Sequence, residues 1–78
     1  MTDVIEALDT VVLTINLPEY RLQAGDVGTV IVVHRHGGYE VKFATLDGET
    51  VAEVTLTPDQ VRSVGPREIA HVRELPTA

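Results

Sequence analysis

The sequence contains no cysteine and no tryptophan, a single lysine (Lys42) and a single serine (Ser63). The missing cysteines exclude disulfides, thiolate nucleophiles and cysteine-bound zinc together. With one serine and no nucleophile-elbow or HExxH pattern, the residues of hydrolytic and metalloprotease chemistry are missing as well. No catalytic residue is therefore assigned, and the chain reads as a non-enzyme that needs no cofactor. Six bases stand against twelve acids, a formal net charge of −6, which argues against nucleic acid or an anionic membrane as partner. The longest apolar run, Val30–Val33, falls far short of the ~20 residues a membrane span requires. Thr2, Asp3 and Glu6 follow Met1 in place of a basic leader, so the expected location is the cytoplasm.

What is present is one small domain. At 78 residues, 44% hydrophobic and 23% charged, the chain is too apolar for disorder, yet a chain of this size buries only roughly 60% of its unfolded surface. Gly25-Asp26, Gly37-Gly38, Asp47-Gly48 and Gly65-Pro66 cut it into short pieces at turn-forming points. The β-branched run Thr10–Thr14 reads as a strand, and Ile15–Asp26, interrupted by Pro18, reads as a long excursion. In that excursion Leu17, Tyr20 and Leu22 fold back over one end of the core.

Val27–His34 is the strongest strand signal. Its near-continuous apolar run implies burial on both faces or a bend between sheet layers, with Gly28 marking a bulge or a close backbone approach. Gly37-Gly38 suits a primed hairpin turn. Tyr39, Val41 and Phe43 alternate with Glu40 and Lys42, and Ala52, Val54 and Leu56 alternate with Glu53 and Thr55. Three strands from Val27 to Leu56 thus form a meander. Thr57-Pro58-Asp59-Gln60 reads as a capped 3₁₀ turn before a short last strand, Val61–Val64. This order (strand, long loop, meander, 3₁₀ turn, strand) predicts an all-β, SH3-like five-stranded barrel over residues 9–65. An N-terminal segment (1–8) precedes it and a C-terminal extension (66–78) follows. An OB-like barrel is the runner-up. For the extension, periodicity leaves a sixth strand and a helical turn equally open.

Asp9–Leu13, Leu17-Pro18-Glu19-Tyr20 and Gly25–Val30 resemble the small bacterial family called domain of unknown function 4926, as do Tyr39–Phe43, Val54–Leu56 and Glu68–Arg73. The resemblance implies a stand-alone small barrel and, through family members encoded near toxin-like genes, an antitoxin or immunity role. Leu17–Tyr20 with Gly25–Val30 is also similar to the nitrile hydratase β-subunit barrel, which implies a structural or accessory subunit without catalysis. Gly25–Val30 further resembles the KOW element of RNA-binding proteins, although Asp26 and the single lysine contradict the basic loop that such binding uses.

Three sets of residues stand out as candidate sites. His34 and His36 flank Arg35, so on an extended strand both imidazoles would share one face, with His71 or Glu40 available to complete a metal site. A solvated hairpin tip accounts for the same pair, and no metal site is assigned. Glu19, Tyr20 and Arg21 in the long loop are the candidate contacts for a protein partner, because loops carry function more often than strands do. Ile69, Val72 and Leu75 in the extension either pack back on the barrel or pair with a second copy in a homodimer. The expected function is a non-catalytic protein-binding module, of antitoxin or immunity type if the partner is basic.

Overall fold

Five strands build one antiparallel sheet in the computed structural model, which describes residues 4–76. In chain order they are β1 (Thr10–Leu13), β2 (Val27–Val33), β3 (Tyr39–Ala44), β4 (Thr50–Leu56) and β5 (Val61–Ser63), with 3₁₀ turns η1 (Pro18–Tyr20) and η2 (Pro58–Gln60). The hydrogen-bonded order is β4-β3-β2-β1-β5. The expected meander is present as β2-β3-β4, and the first and last strands pair beside it. No helix among the described residues is long and apolar enough to cross a membrane.

Register explains the core. Val30 faces Val41, Val41 faces Val54 and Phe43 faces Ala52, so apolar side chains meet directly across three strands, the pairs that stabilise a sheet. Val11, Leu13 and Leu56 complete the deepest layer, and Leu22, Val54 and Val61 close its margins. Each such aliphatic side chain contributes about 1.5–3 kcal/mol when fully buried. Among the described residues no polar or charged side chain is buried.

The sheet continues upstream of β1. Leu8 N–H donates to the Val30 carbonyl at 2.7 Å and Val30 N–H to the Asp9 carbonyl at 2.9 Å. The Asp9 carboxylate accepts the Glu6 N–H, which closes a tight turn and sets Ile5 against the core.

For β2 the structure selects between the alternatives that the sequence left open. Burial on both faces is not found: Val27, Ile31, Val32 and Val33 are each 39–46% exposed. Within the strand only Gly28 and Val30 are buried. The register shifts between Val30 and Val32, so the irregularity lies at Ile31, where an extra residue bends the strand. Gly28 serves the close approach. A Cβ there would lie 2.6 Å from Val41 Cγ1 and 2.8 Å from Phe43 Cε1, so the phenyl ring packs flush against the strand backbone.

The β2–β3 hairpin also differs from its expected turn. Gly37 N–H donates to the His34 carbonyl, and His34 N–H donates to the Gly38 carbonyl. Arg35 and His36 occupy the central positions, and neither has positive φ. A primed turn would require positive φ at one or both of them; here a common turn is followed by a glycine bulge, with Gly37 at φ 92°. The β3–β4 hairpin repeats the device: Gly48 N–H donates to Thr45 O, Thr45 N–H donates to Glu49 O, and Gly48 has φ 99°.

The capped turn forms as expected. Thr57 N–H donates to Gln60 Oε1 at 2.8 Å and Gln60 N–H to the Thr57 carbonyl at 3.0 Å. The last strand ends at Ser63, one residue short of the expected Val64. Beyond it the extension is neither a strand nor a helical turn. Its described residues carry no regular secondary structure after a turn at Pro66-Arg67, and side-chain ion pairs hold it instead.

Candidate protein-contact surface

The loop between β1 and β2 is long but tightly pinned. Leu13 N–H donates to Asp26 O and Gly25 N–H donates to Leu13 O, both at 2.8 Å. Its outgoing limb is tied to η2, where Thr14 N–H donates to Gln60 O and the Thr14 hydroxyl to Asp59 O. Leu17 and Leu22 exchange N–H···O bonds of 2.9 and 3.1 Å, and Asn16 Oδ1 accepts the Ala24 N–H. Leu22 is buried and Leu17 packs against the core. These two leucines are the lid expected from the sequence; the third residue of that set, Tyr20, is 41% exposed.

The tip of this loop is η1. Pro18 sets the first turn position, Tyr20 N–H donates to Leu17 O, and Arg21 N–H donates to Pro18 O at 3.0 Å. Arg21 adopts the left-handed conformation, φ 61°, which reverses the chain toward buried Leu22. Glu19, Tyr20 and Arg21 are therefore brought together on one rigid, exposed turn.

The other candidates fare differently. β2 ends at Val33, so His34 and His36 sit on the hairpin turn, where the alternation that would align two imidazoles no longer holds. His36 is exposed, while His34 is half-buried, with its Nε2 atom shielded from solvent and unpartnered among the described residues. Among the described residues no group of three metal-ligating side chains assembles. In the extension Ile69 is 95% and Val72 69% exposed, whereas Leu75 is half-buried. Val72 and Leu75 both border the groove described below, and Ile69 is not among its lining residues.

Ion pairing in the extension is the feature the sequence reading missed. Arg73 Nε and Nη2 clasp the two Asp26 oxygens at 2.8 and 2.5 Å, and Nη2 also donates to the Arg21 carbonyl at 3.0 Å. The Asp26 carboxylate further accepts the Gln23 N–H at 2.8 Å. Partial burial pushes the Asp26 pKa upward. The Arg73 hydrogen bonds, the Gln23 amide and the Arg73 charge outweigh that effect, and the carboxyl lies below its ordinary value. A second pair stands upstream: Glu68 receives Arg62 bidentately, at 2.7 Å for each bond, and the Gly65 N–H at 2.6 Å. The Arg62 hydrogen bonds, then the Gly65 amide, lower the Glu68 carboxyl to about 2.

Glu68 could have been suspected locally, three residues beyond the Gly65 amide. Nothing local links Arg73 to a residue 47 positions away.

Between these pins the extension stands off the sheet and leaves a groove of about 690 Å³. Val27, Phe43, Ala44 and Val51 line it on the sheet side, and residues 45–47 and 70–75 form its rims.

The family's profile matches residues 7–63, a stretch that holds all five strands and ends with β5. The chain belongs to the family described as Domain of unknown function (DUF4926). Within the DUF4926 match lie η1 and Asp26; Glu68 and Arg73, the extension's halves of the two ion pairs, lie beyond it. The likeness noted for Glu68–Arg73 is thus outside the matched residues. No curated protein and no solved structure matches the chain.

Proposed function

We propose that this DUF4926 protein is a non-catalytic protein-binding module of SH3-like barrel type, acting in the cytoplasm on a basic protein partner. The observation that carries the reading is η1. A tyrosine 41% exposed, on a turn fixed by proline and by backbone bonds on both sides, is a preordered contact that loses little entropy on binding. Glu19 beside it is exposed and supplies the charge for a basic partner. The global balance points the same way. The two internal pairs, Arg62–Glu68 and Arg73–Asp26, each remove one cation and one anion, so the net charge of −6 is left to the rest of the chain. Complementary charge of this kind speeds encounter and rejects acidic competitors. An antitoxin or immunity-type role fits a module that neutralises a basic, nuclease-like partner.

The experiment is affinity capture from the native host with three baits: the natural chain, Tyr20→Ala and Glu19→Lys. A stoichiometric basic protein held by the natural chain and lost from both variants supports the proposal. An identical set of proteins on all three baits, or none on any, overturns it.

A further inference from the structure

We infer that the groove between the β3–β4 turn and the C-terminal extension receives an extended segment of the protein partner, one carrying an aliphatic side chain flanked by lysine or arginine. The inference deepens the preceding one and rests on the partner being basic. Three observations carry it.

The first is the shape and lining. About 690 Å³ lies between Val27, Phe43, Ala44 and Val51 on one side and the extension on the other, within the 300–1,000 Å³ typical of sites that enclose a ligand. The floor is aliphatic and aromatic, with no buried polar side chain demanding a counterpart.

The second is charge. Asp47 stands on one rim and Glu74 on the other, and among the described residues neither is paired with a cation. The only arginine on the rims, Arg73, is already bound to Asp26. The remaining rim base, His71, is exposed to water. An apolar slot between two uncompensated carboxylates selects against acidic segments and favours basic ones.

The third is the backbone. Among the described residues no main-chain hydrogen bond is made within 66–76. That rim therefore offers free N–H and C=O groups to an extended segment laid beside it, as strand addition does at an open edge.

The test is titration of the full-length, ¹⁵N-labelled chain with two synthetic probes, a short peptide alternating lysine and leucine and a control alternating glutamate and leucine. The lysine peptide should shift the amides of 44–47 and 70–75, and the glutamate peptide should not. Asp47→Asn and Glu74→Gln, both exposed positions that leave the core untouched, should each weaken the lysine peptide by about 2- to 5-fold at low salt. Equal binding of both peptides, or no binding of either at millimolar concentration, overturns the inference. Shifts confined to residues 18–21 also overturn it while leaving a basic partner at η1 intact, and the capture experiment reports on that partner independently.

Discussion

Arg73 closes on Asp26 across 47 residues of sequence, with Nε 2.8 Å from Oδ1 and Nη2 2.5 Å from Oδ2. One guanidinium so joins the extension to the last residue of the long loop, and its bond to the Arg21 carbonyl ties in the turn that carries Tyr20. The part-buried position, with side chains 23% and 16% exposed, lifts the pair above an ordinary surface ion pair.

Arg73→Ala should cost about 1 kcal/mol of stability, since Asp26 keeps the Gln23 amide and some water. Asp26→Ala removes both partners' acceptor and should cost about 2 kcal/mol. Urea unfolding of the two variants measures this. Backbone ¹⁵N order parameters of residues 70–75 should fall in both, and unchanged values would mean that the pair does not hold the extension.

Acid should loosen the extension before it unfolds the sheet. Glu68, with its carboxyl at about 2 against an ordinary 4.5, and Asp26, also lowered, both titrate lower when folded. Their contribution is complete above the ordinary carboxyl range and is lost as pH falls from about 4.5 toward 2. Stability should therefore rise with pH across that window, and Arg62→Ala should flatten the part due to Glu68. A midpoint independent of pH between those limits contradicts the assignment.

Gly28→Ala should destabilise by about 1–3 kcal/mol, because its methyl would lie 2.6 Å from Val41 Cγ1 and 2.8 Å from Phe43 Cε1. Combining it with Phe43→Leu should cost less than the sum of the two changes, as expected for groups in direct contact. Strict additivity in chemical denaturation would place the clash elsewhere.

Tyr20→Ala and Glu19→Lys should leave stability within about 0.5 kcal/mol of the natural chain, since neither side chain is buried. Their effect belongs to partner capture. Should either variant unfold at markedly lower urea, Tyr20 would instead be a structural plug of its loop.

The sheet could be read from the sequence because its signals are local. Alternation through Tyr39–Phe43 and Ala52–Leu56 records which face is wet, and Thr57-Pro58 announces η2 within four residues. The same logic placed Glu19, Tyr20 and Arg21 on one loop tip. It failed where one pattern serves two geometries. Gly37 satisfies a primed turn and a glycine bulge alike, and the run Val30–Val33 looks the same whether or not a second layer covers it. It also failed at distance: Ile69, Val72 and Leu75 suggested a regular element, but the extension is held by charges whose partners lie in other parts of the chain.

β1 and β5 run antiparallel with Val11 opposite Ser63, so the sheet-forming chain leaves the domain beside the point where it enters. In connectivity the domain is close to a ring. A circular permutant that joins these ends through a short linker and opens the Thr45–Glu49 turn would retain every strand pairing, and would carry that turn's two halves as free termini while dispensing with the extension that forms the groove's other rim.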